Sequence, residues 1–123
     1  MSTTSYPISA VIAMIIHDDK VLLVRRGKEP NKGRWGLPGG KIELGETITE
    51  AALRELKEET NITAQAEQIL TAFDVIMHDE KQQTQHHYIL IPVLCSYLDG
   101  IAKAASDAAE VRWFDIDVDG QNS

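Results

Sequence analysis

The chain carries a single cysteine, Cys95, in 123 residues. An intrachain disulfide is therefore excluded, and one thiol fits a reducing compartment. Cys95 lies in an apolar run, which reads as a buried structural thiol rather than a nucleophile. Long hydrophobic runs are also missing: none reaches the roughly 18–20 residues of a membrane span. The N-terminal MSTTSYPIS lacks the basic and apolar regions of a signal peptide. A soluble cytoplasmic protein is expected, with no membrane partner. Cations are scarce, 12 Lys and Arg against 19 Asp and Glu, for a formal net charge of -7. That balance argues against a nucleic-acid-binding surface, which is usually basic. There are no repeats, low-complexity segments or linkers. What remains is 43% hydrophobic and 25% charged, ordinary for a globular protein, and one domain over residues 1–123 is expected.

Apolar patterning divides the chain. Ala10 to Ile16 and Val21 to Val24 flank a polar turn and read as a hairpin of two buried strands. Gly27 to Gly33 is a polar loop. Trp35 to Leu37 is a short strand candidate, cut off by Pro38, Gly39 and Gly40, and Lys41 to Glu43 is another, ended by Gly45. Thr47 opens a helix, with Thr47-Ile48-Thr49-Glu50 as a capping box. Ile48, Ala52 and Leu56 share one face of it and Arg54, Glu55, Glu58 and Glu59 the other, so it should pack on a sheet with its acidic side turned to a cleft. Ala64 to Met77 is β-prone in its second half. His78 to Gln83 is a polar turn, and Gln85 to Leu98 is a long strand in which Pro92 implies an edge or a bulge. Ser96 to Ala109 reads as a loop, and Val111 to Phe114 as a last strand. Strands around one long helix give an α+β order.

The informative stretch is Gly40 to Ile62, GKIELGETITEAALRELKEETNI. Glu55, Glu58 and Glu59 crowd one helical turn, and side chains three and four apart are neighbours. They stand near the helix C-terminus, where the macrodipole is already negative. A divalent cation would relieve both unfavourable terms, and three hard oxygen ligands suit magnesium or manganese. Gly39 and Gly40 let backbone approach a ligand closely, and a free carbonyl there could complete a metal shell.

The same residues resemble the Nudix box, G-x5-E-x7-R-E-U-x-E-E-x-G-U, where U is a bulky apolar residue. Gly40, Glu46, Arg54, Glu55, Leu56, Glu58, Glu59 and Ile62 fall in register. Asn61 stands where the family has Gly. The site follows the helix end, where a left-handed residue is common and Asn is the second choice after Gly. The preceding WGLPGG and the later EVRWF are also similar to Nudix sequence. The resemblance implies an α/β/α sandwich with a mixed sheet and one main catalytic helix. The family's second helix, after the last strand, has no counterpart in DVDGQNS.

The implied activity is hydrolysis of a pyrophosphate bond in a nucleoside diphosphate linked to another group, by metal-activated water. Carried over by position, Glu58 and Glu59 resemble metal ligands and Glu55 a ligand or general base. The Gly39 carbonyl resembles a further metal ligand. Arg54 would hold a box glutamate by a charge-assisted hydrogen bond, and Glu46 would pair with Arg54 or with the helix start. Glu110, just before the last strand with Asp107 nearby, is the candidate for an extra catalytic carboxylate, with a surface salt bridge as the alternative. Arg25 and Arg26 could meet substrate phosphate or simply be solvated. Trp35 could stack on a base, but core burial is the better reading. The box leaves the substrate open between a nucleoside triphosphate and a nucleotide sugar such as ADP-ribose. Some ADP-ribose pyrophosphatases carry a proline sixteen residues past the box, where this chain has His78. Two alternatives are a nucleotide-sensing module without catalysis and an RNA 5′-end pyrophosphohydrolase. A monomer or a homodimer is expected.

Overall fold

A computed structural model describes residues 6–29 and 31–116 of the protein. Strand β1 (Ile8–His17) and strand β2 (Lys20–Arg26) form the expected antiparallel hairpin. Asp18 and Asp19 both adopt positive φ, 52° and 61°, as a two-residue type I′ turn requires. The two strands pair only beside this turn, through Ile16↔Val21 and His17↔Lys20, and then part.

Two short strands fill the wedge between them. β3 (Trp35–Gly36) pairs with β2, and β4 (Gly39–Lys41) pairs with β1. Pro38 joins the two sides, its carbonyl accepting from the Ala13 N–H at 2.8 Å. The second short strand was expected at Lys41 to Glu43, after a glycine turn; instead the glycines are the strand. A Cβ on Gly39 would lie 2.1 Å from the Val11 carbonyl oxygen, so only glycine lets this segment lie against β1.

Helix α1 (Ile48–Thr60) has Thr47 as N-cap with both halves of the capping box formed. Asn61 caps its C-terminus at φ 67° and ψ 8°, the left-handed conformation expected there. Ala51, Ala52 and Leu56 are buried on the sheet face that carries Val11, Ala13, Ile15, Val93 and Cys95. Burial also pushes the Cys95 thiol up to about 11, in keeping with an inert core residue.

The rest of the sheet departs from the pattern-based reading in three places. The stretch after the helix holds two strands, β5 (Thr63–Ile69) and β6 (Phe73–His78). β5 is small and polar, and it is a strand because β7 (Thr84–Asp99) offers it a partner edge. β7 itself holds the strand expected to Leu98 and runs on to Asp99, so the expected loop from Ser96 starts later. Pro92 sits at neither a sheet edge nor a bulge of β7. One edge of β7 lies along β1 in parallel, and the other is shared by β6 up to Leu90 and β5 from Val93. Pro92 falls at the break between them, where its missing N–H costs no ladder bond, and its carbonyl accepts from Leu70.

β8 (Ala108–Asp115) pairs antiparallel with β2 along its length, and the parallel β1–β7 pair makes the sheet mixed. α1 is the one helix among the described residues. The expected absence of a closing helix concerns residues 117–123, which lie outside them. No described helix is long and apolar enough to cross a membrane.

Candidate active site

Arg54 organises the acidic face of α1. Its Nε and Nη2 hold the two oxygens of Glu46, at 2.6 and 2.9 Å, a bidentate pair. Nη1 reaches Glu55 at 2.9 Å and Glu58 at 3.5 Å, and Nη2 also donates to the Lys41 carbonyl at 3.1 Å. The hydrogen bond from Arg54 is the main reason the Glu46 carboxyl drops to about 2. Glu46 also accepts from the Glu43 N–H, which ties the box loop to the helix. One guanidinium therefore fixes the loop and orients Glu55. Arg54 positions the acids and takes no place in the cleft itself.

Glu59 is half-buried where the helix meets β4. Burial first, and then the adjacent Glu55 carboxyl, push Glu59 up to about 8; the Gly39 N–H opposes the shift and Asp107 adds to it. Glu59 and Glu55 hydrogen-bond to one another, which requires a proton shared by the pair. Gly40 belongs to the same arrangement, because a Cβ there would stand 2.5 Å from a Glu55 carboxylate oxygen. The site thus packs two carboxyls against a strand that has no room for side chains.

Among the described residues, no three carboxylate, imidazole or thiol groups converge as a ready-made metal cage. Glu55 and Glu59 meet, while Glu58 is exposed and leans toward Arg54. The donor chemistry nonetheless fits a hard divalent cation: oxygen ligands only, with two carboxyls forced together so that one must stay protonated. Glu55, Glu58, Glu59 and the Gly39 carbonyl are the residues that would hold it, with Glu58 released from Arg54.

Two connected hollows open from this point. They share Arg26, Asn31, Leu37, Gly39, Glu59 and Asp107. The larger, about 720 Å³, adds Glu55 and Glu58 and an apolar wall from β6 and β7: Val75, Met77, Tyr88 and Leu90. The smaller, about 260 Å³, adds Arg34, Trp35 and Gly36 from the wedge segment.

The other sequence-level candidates sort accordingly. Arg26 lines both hollows. Arg25 does not; it donates to Glu110 at 3.1 Å across the β2–β8 ladder. Glu110 is held by Arg112 as well, and these two arginines keep its carboxyl below the usual range. It is therefore a salt-bridged strand residue outside the cleft, and the cleft acid from this segment is Asp107. A register shift in the β2–β8 ladder at Arg25/Arg26 separates the two outcomes. Trp35 lines the smaller hollow but is engaged on its own side, edge-on to Phe114 at 5.0 Å and beneath the Arg112 guanidinium at 5.2 Å. The Tyr88 wall went unnoticed in the sequence, where it is one apolar position in a long strand.

Known proteins match the chain over most of its length. The NUDIX domain model matches residues 6–118. An ADP-ribose pyrophosphatase of Methanocaldococcus jannaschii is 37% identical over 111 residues, 90% of this chain and 63% of that protein. The crystal structure of a MutT NUDIX hydrolase from Burkholderia pseudomallei matches with a TM-score of 0.78 at 27% identity, over 89% of this chain and 84% of that one. That of a UDP-X diphosphatase matches with a TM-score of 0.75 at 34% identity, over 94% and 54%. The chain spans less than two-thirds of the length of the first curated relatives it matches, 63% and 60%.

Proposed function

The chain belongs to the NUDIX family, and from that premise we propose that it hydrolyses the pyrophosphate bond of a nucleotide sugar, with ADP-ribose within the class. The observation that carries the reading is the half-buried Glu55–Glu59 carboxyl pair, with Glu59 where two hollows meet and Glu55 oriented by Arg54. Relatives named for ADP-ribose and for UDP-linked substrates support the substrate class. Magnesium or manganese would be the cofactor, and Glu55, Glu58, Glu59 and the Gly39 carbonyl would hold it. When bound, such an ion lowers the pKa of attacking water and neutralises charge on phosphoryl oxygens.

The chain's own groups do the rest. Arg26, at the junction, faces substrate phosphate. Glu59 would serve the cation as a carboxylate, and Arg54 holds Glu55 in orientation beside it. The test is product analysis over nucleoside triphosphates, nucleotide sugars, dinucleotides and capped RNA, with Mg²⁺ or Mn²⁺. Nucleotide sugars should give a nucleoside monophosphate and a sugar phosphate. Glu59→Gln should lose about a hundredfold or more in turnover while remaining folded. No hydrolysis of any substrate, or full activity of Glu59→Gln in excess EDTA, would overturn the reading.

A further inference from the structure

The two hollows differ in chemistry, and the difference bears on how a substrate lies across the site. This inference rests on the proposed pyrophosphate hydrolysis. What the smaller hollow alone adds is the cationic Arg34, beside a Trp35 already engaged by Phe114 and Arg112. The larger hollow, lined with the box acids and Lys41 on one side, alone adds an apolar wall that contains an aromatic ring, Tyr88, between Val75 and Leu90.

Strand register explains why these residues share a face. Tyr88 is paired directly with Val75 and with Ile8, and Leu90 with Phe73 and Ala10. Directly paired residues point to the same side of a sheet. Met77 and His86 are paired one step further on, so they belong to that face too, and the His86 ring stacks on Tyr88 at 6.2 Å between centroids and 22° between planes. Tyr88 thus presents a half-buried ring, backed by His86, to the larger hollow.

We propose that Tyr88 is the platform for the nucleobase, and that the sugar-phosphate end of the substrate occupies the smaller hollow beside Arg34. A diphosphate centred on Glu59 would then place a planar apolar group on the Tyr88 side and a polar, anionic group on the other. The larger volume, about 720 Å³ against about 260 Å³, matches the larger end of the substrate. A binding group on each side of the junction also separates the substrate classes. A nucleotide sugar fills both hollows, whereas a nucleoside triphosphate leaves the smaller one to a bare phosphate.

The test uses the two half-ligands, read by binding rather than turnover. AMP and UMP probe the base end and ribose 5-phosphate the other, by calorimetric titration in the presence of Mg²⁺. Base–aromatic stacking contributes about 1–3 kcal/mol, so Tyr88→Leu should weaken nucleoside monophosphate binding by roughly 5- to 150-fold. Tyr88→Phe should restore it, because the ring and not the hydroxyl is used. Ribose 5-phosphate should bind Tyr88→Leu as it binds wild type and lose affinity in Arg34→Gln. In turnover, Tyr88→Leu should raise KM for a nucleotide sugar by more than it lowers kcat. A melting scan of Tyr88→Leu identifies any loss due to unfolding, and Tyr88→Phe, which keeps the packing, then decides between the ring and the fold. Unchanged AMP and UMP binding in a folded Tyr88→Leu, or loss of ribose 5-phosphate instead, overturns the assignment. Either result can occur with nucleotide-sugar hydrolysis intact, whereas absence of all hydrolysis in the wild type would overturn the proposed function itself.

Discussion

Gly39 and Gly40 are neighbours, yet adding a methyl group to each should produce opposite phenotypes. Neither has positive φ, so an alanine meets no backbone strain at either position. At Gly39 the new Cβ would lie 2.1 Å from the Val11 carbonyl oxygen and 2.9 Å from the Ile12 Cα. An unstrained contact needs about 3.5 Å, and both obstacles are backbone of a central strand. β4 must therefore move away from β1 by on the order of 1 Å, against the ladder bonds that hold it. Overpacking of this kind costs about 1–3 kcal/mol, and Tm should fall by about 3–6 °C for each kcal/mol in a chain of this size. At Gly40 the obstacle is the end of the Glu55 side chain, 2.5 Å from the new Cβ. A side chain can swing aside, so the fold should hold, with a change in Tm of no more than a few degrees. Glu55 would then leave Arg54 and Glu59, and a misplacement of about 1 Å costs roughly a hundredfold in rate. Differential scanning fluorimetry and nucleotide-sugar hydrolysis, run on both variants, separate the two effects. Wild-type melting of Gly39→Ala, or wild-type turnover of Gly40→Ala, would refute the reasoning.

Three further outcomes follow from the same geometry. Glu59 has a folded pKa of about 8, raised above its ordinary value of 4.5; such a group stabilises the metal-free fold at low pH, and that contribution is lost as pH rises through about 8. Melting in EDTA should therefore decline over this window, Glu59→Gln should flatten the decline, and Mg²⁺ should protect most at the alkaline end; a pH-independent Tm in EDTA would contradict the assignment. Asn61→Val should destabilise by about 1–3 kcal/mol because a β-branched residue is strained at φ 67°. Asn61→Gly suits that conformation but loses the bond from Nδ2 to the Ile101 carbonyl, so it should fall within about 1 kcal/mol of wild type; chemical denaturation of the two variants checks the order. Asp107→Asn should alter both turnover and the alkaline melting profile, whereas Glu110→Gln should keep turnover within about threefold, and the reverse ranking in steady-state kinetics would return Glu110 to the cleft.

What could be read from the sequence was local. The cap at Thr47, the left-handed Asn61 and the acidic face of α1 follow from spacing within one helix, and each is where the spacing puts it. The Arg54–Glu46 pair was legible only through the resemblance to the Nudix box, as one of the two partners expected for Glu46. The positions that were misread depend on neighbours distant in the chain. Gly39 and Gly40 look like a turn until β1 is laid beside them. β5 has little intrinsic strand character and is defined by the free edge of β7. Glu110 and Asp107 cannot be ranked without the β2–β8 register, which slips at Arg25/Arg26. Tyr88 acquires meaning only from the hollow in front of it.

The end of α1 is closed by the far part of the chain: Lys103 and Ala105 donate to the carbonyls of Thr60 and Glu59, and Asn61 reaches Ile101. β1 likewise waits for β7, and β2 for β8 as far as the pairing of Lys20 with Asp115. Pairings so distant in sequence form slowly, and during synthesis they must wait until the last strand has left the ribosome. Until residues 101–105 are made, the last carbonyls of α1 lack the donors that close them in the folded chain. A chain interrupted before residue 105 is therefore expected to keep every acid of the box and to lose turnover, which expression and assay of that truncation would check.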